Sequence, residues 1–464
     1  MVSPGGSLRA PGAILLVSTY ELGHQPAGIA VPKAFLERAG FTPSALDLAV
    51  EPLDPARVAV ARLVLFSVPM HTALRLGLAA AERVRALNPS ALLAFHGLYA
   101  LLHASLLRER GAAAAFGGEC EDDLVALARA VDAGEDLAPS GEVGARRPQA
   151  RLDYPVPSRE GLPGPDRYAR LAAADGTLRV AGHAESTRGC KHRCRHCPVV
   201  PVYGGRFFAV PVEVVVEDVA RQVSQGILHL TFGDPDFLNG PVHALRVAEA
   251  VHARFPALTF DFTAKVEHLV RQAGLLPRLA GCGALFVVSA VESLAERVLA
   301  VLDKGHGRED VVRAFEACRA AGLSLRPSLL PFTPWSTLED YLDLVETFGA
   351  RGWVESLDPV QLSIRLLVPP GSLLLEEPEL LGAPLDPAAL SHVWRHPDPR
   401  MDALQAKVAR LVEDDAASGA SPGATLERVR RLALAAAGRP HAHVGPVAAD
   451  TGRRAPRLTE SWFC

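Results

Sequence analysis

Two blocks of alternating apolar runs and amphipathic segments dominate the 464 residues of this chain. The strand candidates of the first block are residues 13–20, 61–69, 91–97 and 112–118, and the helix candidates are residues 29–40, 72–89 and 122–131. Strands and helices that alternate at this spacing form a parallel sheet with helices on both faces. We therefore expect a Rossmann-like (flavodoxin-like) α/β domain over residues 1–132.

A segment rich in proline, glycine and arginine, residues 133–180, follows this block and predicts a linker that wraps the surface. Alternation resumes with a strand that leads into Cys190. Five further strand candidates follow at 227–234, 258–267, 284–293, 323–332 and 360–369. Six strand–helix units make a partial TIM-type barrel rather than a complete one of eight. We expect this (βα)6 barrel over 181–375, and a helical extension with a poorly structured tail over 376–464.

Charge and apolar patterning exclude some classes of protein. The net charge is only −4, so no strongly basic face predicts nucleic-acid binding. No apolar run is long enough to span a membrane, and the apolar run near the N-terminus continues into the first strand, so we predict no signal peptide. Three of the seven cysteines crowd into residues 190–197, which favours a metal site in a reducing cytoplasm over a disulfide framework.

The crowded cysteines are Cys190, Cys194 and Cys197, spaced C-x3-C-x2-C after the first strand of the second block. Three thiolates on one short loop can hold three irons of a cubane cluster and leave the fourth iron open to another ligand. The alternative is a zinc knuckle completed by His192 or His196. No second cysteine pair follows, so the spacing favours the cluster.

The segment ESTRGCKHRCRHC resembles the motif of the radical SAM superfamily, and the resemblance extends over roughly residues 181–370. It implies an enzyme whose 4Fe–4S cluster cleaves S-adenosylmethionine (SAM) reductively to a 5′-deoxyadenosyl radical. It also implies a small-molecule or peptide substrate, and a reductase, flavodoxin or ferredoxin as electron donor. The competing hypothesis is a non-catalytic regulator that binds a cluster or cobalamin.

The same resemblance implies that side chains at the strand ends of the barrel bind SAM. In TFGDPDF, Asp234 or Asp236 would bind the amino group of SAM, although the GGE motif of the family is absent. The full set that the resemblance implies is Gly233, Asp234, Asp236, Glu267, Ser289, Glu292 and Arg326. Cys282 and Cys318 fit ordinary core positions.

The N-terminal block resembles the cobalamin-binding domain found in many radical SAM enzymes, through SVPMHTAL and GGECEDDL. Such a sheet offers a ligand crevice at the carboxyl ends of its strands. The cobalamin motif DxHxxG is altered, because Glu21 replaces its aspartate and one residue too many separates His24 from Gly28. His24 as a cobalt ligand, cobalamin without a histidine ligand, and a domain that binds nothing all stay open. His71 and Glu119 are the other crevice candidates.

The final residues, TESWFC, resemble the tail of the CUAEP/CCAEP-tail radical SAM proteins. The resemblance implies that a UGA codon after Cys464 encodes selenocysteine and that Cys464 belongs to a redox or metal-binding pair. The alternative is an incidental terminal cysteine. An RNA methylthiotransferase would need three further cysteines in the N-terminal domain, where Cys120 stands alone.

Overall fold

The N-terminal part of the chain folds around a five-stranded parallel sheet. The computed structural model describes residues 7–135, 151–439 and 454–460. The strands are β1 (Ile14–Ser18), β2 (Ser44–Asp47), β3 (Leu63–Ser67), β4 (Leu92–His96) and β5 (Ala114–Phe116). Their order, β2-β1-β3-β4-β5, is the flavodoxin-like order, and it confirms the predicted fold of this part. β1 and β3 are buried along their whole length, as their unbroken apolar sequences predict.

Helices cover both faces of this sheet. They are α1 (Ala27–Arg38), α2 (Pro55–Val60), α3 (His71–Leu87), α4 (Leu98–Leu102), α5 (Ala104–Glu109) and α6 (Glu121–Ala133). α2 begins at Asp54, whose carboxylate accepts the backbone N–H of Ala56, and Pro55 occupies the first turn, where its missing N–H costs nothing.

The second sheet has seven strands in the order β13-β12-β11-β10-β7-β6-β16. The remaining strands of the described chain are β6 (Arg170–Ala172), β7 (Leu178–Ala184), β8 (Thr187–Gly189), β9 (Phe207–Ala209), β10 (His229–Phe232), β11 (Thr259–Thr263), β12 (Ala284–Glu292), β13 (Ser324–Leu329), β14 (Leu385–Asp386), β15 (Ser391–His392) and β16 (Arg457–Leu458). β7 and β10 to β13 run parallel, whereas β6 and β16 are antiparallel additions at one edge. The parallel strands form the partial barrel that the sequence predicts.

Helices cover the outer face of this sheet and continue beyond it. They are α7 (Val199–Tyr203), α8 (Val212–Ser224), α9 (Pro241–Arg254), α10 (Val266–Arg271), α11 (Leu276–Gly281), α12 (Glu296–Val301), α13 (Arg308–Ala320), α14 (Leu338–Ala350), α15 (Pro399–Ser418) and α16 (Pro422–Ala436). α15 and α16 form the helical extension. No helix among the described residues is long and apolar enough to cross a membrane.

The sixth barrel strand is shorter than predicted. Residues 360–369 are not a regular strand, because Pro359–Ser363 forms a 3-10 helix. A single parallel bridge between Phe332 and Arg365 continues the sheet beyond β13. The side-chain oxygen of Gln361 accepts the backbone N–H of Leu329, so a side chain takes the place of a ladder partner there.

The predicted linker is partly built into the interior. Its residues from 151 onward contain β6 and the start of β7. Arg159 and Tyr154 are buried, and the Arg159 guanidinium donates to both carboxylate oxygens of Asp218 on α8 and to the side chain of Gln25. This segment therefore ties the N-terminal domain to the barrel instead of only wrapping the surface. One apolar cluster joins the two, with members such as Ile14 and Phe232.

Candidate functional site

The loop that carries the cysteine triad follows β8 directly. Gly189 ends β8 with a φ of 73°, and a Cβ at this position would lie 2.5 Å from the carbonyl oxygen of Arg206. Only glycine fits this conformation without strain. After this turn the loop contacts Asn239. Asn239 Oδ1 lies 3.3 Å from the backbone nitrogen of Lys191 and 3.6 Å from Cys190 Sγ. The cysteine loop is thus attached to the loop after β10.

The three cysteines share one short loop, where Cys194 is buried and Cys190 and Cys197 are half-buried. Burial raises the pKa of Cys197 to about 12, and the neighbouring Cys194 and Cys190 thiols raise it further while Lys304 opposes the shift. Burial also raises the pKa of Cys190. Cys190 and Cys197 are hard to ionise on their own and therefore suit a cationic metal centre, since coordination replaces the proton on each sulfur. The donor set therefore fits a cluster held by three cysteines.

Glu292 lies beside this loop at the end of β12, in a left-handed backbone conformation with a φ of 61°. Its Oε1 is 3.2 Å from Lys304 Nζ and 3.3 Å from His196 Nε2. Burial alone would raise the pKa of Glu292, but Lys304 and His196 lower it to about 2. Glu292 thus stays ionised and holds a histidine that lies between Cys194 and Cys197 in the sequence.

Asp236 and Glu267, both predicted to bind SAM, are turned toward a second pair of histidines. Asp236 Oδ2 lies 2.7 Å from His268 Nδ1, and His268 Nε2 lies 3.0 Å from His192 Nε2. Glu267 Oε2 is 3.7 Å from His192 Nδ1 and 3.4 Å from Lys265 Nζ. Asp236 is completely buried. These side chains connect the cysteine loop to the loops that follow β10 and β11.

Asp234 and Gly233 lie at the end of β10. The Asp234 carboxylate accepts hydrogen bonds from the backbone and hydroxyl groups of both Ser186 and Thr187. Burial raises its pKa to about 6, although these donors act in the opposite direction. Gly233 packs against the imidazole of His183, where a Cβ would lie 2.0 Å from Nε2. Asp234 therefore holds Ser186 and Thr187, which precede the cysteine loop, in place.

The last two predicted contacts, Ser289 and Arg326, are buried in the barrel. Ser289 Oγ has no hydrogen-bond partner among the described residues. Arg326 Nη2 lies 3.0 Å from Asp358 Oδ2, and the guanidinium stands 5.9 Å from the Phe286 ring centre. Burial lowers the pKa of Arg326. Arg326 already has a carboxylate partner of its own.

A cavity of about 420 Å³ lies between the carboxyl ends of the two sheets. The lining residues from the N-terminal domain are Glu21, Leu22, His24, Gly28, Pro32, Ser67, Pro69, Met70, His96, Gly97, Leu98, Gly118, Cys120 and Glu121. Those from the barrel side are His183, Glu185, Arg188, Gly189, Val199, Tyr203, Thr231, Phe232, Gly233, Asp234, Pro235, Asp261 and Thr263. Its wall includes Gly189, so the cavity reaches the base of the cysteine loop.

Several buried polar atoms on the cavity wall have no partner within the described parts of the chain. They are His96 Nε2, His183 Nδ1 and Glu121 Oε2. An unpartnered buried donor or acceptor costs about 1–3 kcal/mol. A polar ligand in the cavity would satisfy these atoms, so the cavity fits a ligand-binding crevice.

Of the three predicted crevice residues, His24 alone lines the cavity. Its ring stacks on that of His183 with centres 4.7 Å apart. Burial, reinforced by His183, lowers the pKa of His24 to about 3, so both rings are neutral near pH 7. Burial and the nearby Glu185 raise the pKa of Glu21 to about 8. His71 instead hydrogen-bonds the carbonyl of Ala389.

Glu119 belongs to a buried ionic network across the domain boundary. Its carboxylate accepts hydrogen bonds from Tyr154 and Tyr203, and burial raises its pKa. Arg188 Nη1 is 3.8 Å from Glu119 and also contacts Glu121, while its Nε is 2.9 Å from Glu185 Oε2. Arg188 is not among the predicted site residues, although its position two residues before Cys190 at the end of a predicted strand is a usable signal.

Of the remaining cysteines, Cys120 lines the cavity, and Cys282 and Cys318 are absent from its wall. Cys282 and Cys318 are buried in the core, as expected for ordinary core cysteines. Cys464 lies outside the described residues, so its predicted role has no structural context. The last described segment, residues 454–460, contacts the N-terminal domain near the site. β16 pairs with β6, and Tyr20 donates a hydrogen bond to Glu460 Oε1 next to the loop of Glu21 and His24.

Comparison with known proteins gives one family match and several structural neighbours. Residues 184–345 match the model of the radical SAM superfamily. An uncharacterized methyltransferase of Pyrococcus horikoshii is 23% identical over 189 residues, which are 40% of this chain and 39% of the relative. The chain thus spans well under half the length of that curated relative.

Two solved structures resemble most of the fold. The radical S-adenosylmethionine methyltransferase TsrM from Kitasatospora setae, with tryptophan substrate and a SAM analogue bound, is 20% identical with a TM-score of 0.56. The match covers 73% of this chain and 71% of TsrM. The cobalamin-dependent SAM radical enzyme OxsB, with aqua-cobalamin bound, is 15% identical with a TM-score of 0.67, over 87% of this chain and 67% of OxsB. At these identities the likeness establishes a shared two-domain fold.

Proposed function

We propose that this chain is a radical SAM enzyme that cleaves SAM reductively in the cavity between its two domains, since residues 184–345 match the model of that superfamily. The observation that carries the proposal is the position of the cysteine loop. It begins at Gly189, on the wall of a cavity to which both sheets contribute their carboxyl ends. The carboxyl ends of parallel strands are where α/β folds bind their ligands.

In this proposal Cys190, Cys194 and Cys197 hold a 4Fe–4S cluster. The cluster, with SAM and one electron from a flavodoxin, ferredoxin or reductase, supplies cleavage of the C5′–S bond to methionine and a 5′-deoxyadenosyl radical. The protein positions the loop that carries the sulfurs. Lys304 keeps a positive charge near Cys194 and Cys197, which offsets the negative charge of coordinating thiolates.

The contacts of the seven predicted SAM ligands divide them into three groups, of which one, Asp236 and Glu267, faces His268 and His192. We propose that Gly233, Asp234 and Ser289 shape the SAM site, because Asp234 and Gly233 line the cavity and Ser289 Oγ lacks a partner in the described structure. Glu292 and Arg326 are engaged by Lys304 and Asp358 respectively. We assign these two to positioning the cysteine loop and the barrel wall.

We further propose that the N-terminal wall of the cavity binds cobalamin. The flavodoxin-like sheet leaves its crevice open toward the barrel, and the wall there contains Gly28, Gly97 and Gly118 beside the apolar side chains of Met70 and Leu98. The neutral imidazole of His24 suits either a cobalt ligand or a packing contact. OxsB and TsrM, whose fold this chain shares, have both been solved with a cobalamin bound.

Anaerobic reconstitution with iron and sulfide tests the main proposal. The protein is reduced with dithionite, mixed with SAM, and analysed for 5′-deoxyadenosine by mass spectrometry. We expect iron and sulfide to be bound and 5′-deoxyadenosine to form, with Cys194→Ala abolishing both and Cys318→Ala abolishing neither. A protein that binds the cluster but returns SAM unchanged would be a non-catalytic regulator, and the proposal would be wrong.

A further inference from the structure

The contact between Asp236 and His268 does not have the geometry of a hydrogen bond. Asp236 Oδ2 is 2.7 Å from His268 Nδ1, yet this ring nitrogen has no hydrogen-bond partner among the described residues. The His268 side chain is only 3% exposed and that of Asp236 is fully buried. A buried nitrogen left unpaired beside a carboxylate oxygen is costly, unless both atoms face a shared third group.

A third ligand-type side chain completes this group from the cysteine loop. One ligand atom each from His192, Asp236 and His268 lies within 4.8 Å of the others. Ligand atoms about 2.0–2.2 Å from Zn²⁺ stand roughly 3.3 Å apart in a tetrahedron, so small shifts of these side chains, including a slight separation of Asp236 Oδ2 from His268 Nδ1, would form a site. His192 is 16% exposed on its side chain, which leaves a path by which an ion could enter.

Neighbouring groups orient two of the three side chains, Asp236 and His192. The other oxygen of Asp236 accepts the backbone N–H of Leu238, which fixes the direction of the carboxylate. Glu267 lies 3.7 Å from His192 Nδ1, and a carboxylate behind a metal-ligating histidine is the common way to orient such a ring. Glu267 also pairs with Lys265, whose positive charge would otherwise oppose a cation nearby.

We propose that His192, Asp236 and His268 form a second metal site, which binds one Zn²⁺ or Fe²⁺ ion separately from the cysteine triad. Two imidazoles and one carboxylate are a donor set that suits these borderline metals. The ion connects the loop of Cys190 and Cys194 to the loops after β10 and β11, so its function is to fix the cysteine loop. This site uses Asp236 for the ion and leaves Asp234 on the cavity wall.

Bound Zn²⁺ distinguishes this site from the cysteines, because its ligand shell shows whether it is held by nitrogen and oxygen or by sulfur. Anaerobically reconstituted protein is equilibrated with one equivalent of Zn²⁺, desalted, and examined by elemental analysis and Zn K-edge X-ray absorption. We expect about one zinc per chain with a nitrogen and oxygen shell near 2.0–2.1 Å and histidine scattering. A sulfur shell near 2.3 Å would place zinc on cysteines, and either that result or no retained zinc would overturn the proposal.

Substitutions identify the ligands. His268→Ala and the nearly isosteric Asp236→Asn should each weaken zinc binding at least tenfold, since even the loss of an orienting neighbour costs about 10–100-fold. His252→Ala, which removes a half-buried histidine of α9, is the matched control and should bind zinc like the wild type. Iron and sulfide measured in the same samples report the cluster independently. If both ligand variants retain zinc with unchanged affinity, the three side chains are a hydrogen-bonded group without a metal.

Discussion

Lys304 Nζ lies 3.2 Å from Glu292 Oε1, and both side chains are at least nine-tenths buried beside the cysteine loop. The two charges come from different elements, since Glu292 ends β12 and Lys304 follows α12. Burial lowers the pKa of the lysine, but the carboxylate raises it above its ordinary value. Each charge is therefore stable in the interior only because the other is present.

Removal of the lysine should destabilise the fold more than removal of both charges. Lys304→Met leaves Glu292 buried without its cation, and we expect the free energy of unfolding to fall by about 3 kcal/mol. The double variant Lys304→Met with Glu292→Gln should lose less, because no uncompensated charge remains. Urea denaturation of the metal-free protein measures both values. A double variant less stable than the single one would contradict this explanation.

Arg188 should be equally critical at the domain boundary. Arg188→Met leaves Glu119, Glu121 and Glu185 without their shared cation, so we expect a loss of at least about 3 kcal/mol in the same assay. Arg179→Met is the matched control, since its partner Asp175 is 3.8 Å away and more than half exposed. That variant should change stability by less than about 1 kcal/mol. Equal effects of the two substitutions would refute the importance of the network.

Glu21 should make stability depend on pH between its unfolded and folded pKa values. Its pKa rises from 4.5 to about 8 on folding, so the folded protein keeps a proton that the unfolded chain releases. This contribution to stability is present below about pH 4.5 and is lost as the pH rises toward 8. The stability of Glu21→Gln relative to wild type should therefore increase from pH 5.5 to pH 8, as measured by denaturation at both values. The exposed Glu213→Gln should show no such trend.

Substitution of a triad cysteine should lower the iron and sulfide content of the reconstituted protein, whereas substitution of a core cysteine should not. Cys190→Ala, Cys194→Ala and Cys197→Ala should each lose most of the iron and sulfide taken up on reconstitution, because a cluster with two thiolate ligands is poorly held. Cys282→Ala should retain the wild-type content, since this residue packs in the core away from the loop. Absorption near 400 nm and iron analysis make the comparison. Iron uptake that is unaffected by all three substitutions would disprove the assignment.

The sequence predicts those parts of the fold that have a continuous apolar pattern. β1, β3 and the parallel barrel strands coincide with apolar runs, so their positions follow from the pattern of apolar residues along the sequence. β2 (Ser44–Asp47) is missed, because four residues with a polar one at each end carry no strand signal. The sixth barrel strand is overpredicted, because the apolar pattern of 360–369 does not reveal that Gln361 will cap β13 through its side chain.

The sequence likewise predicts only part of the candidate site. The three cysteines lie close together in the sequence, so their spacing alone identifies them. Arg188 and its partners come from residues 119, 121 and 185, and no local pattern indicates that they meet. The same holds for Asp236, which the sequence assigns to SAM through its neighbours but which the fold turns toward His268. Contacts between distant segments require the tertiary structure.

The pairing of β16 with β6 joins segments nearly 300 residues apart, and the bond from Tyr20 to Glu460 spans almost the entire chain. Such contacts cannot form until residues 457–460 have been synthesised, long after β6 itself. Until then β6 presents an unpaired strand edge, the type of surface at which nascent chains associate with one another. Closure of this edge would be a late and slow step, because long-range pairing is slow. The rim of the cavity near Glu21 would then be completed only after the segment of β16 and Glu460 has docked on the N-terminal domain.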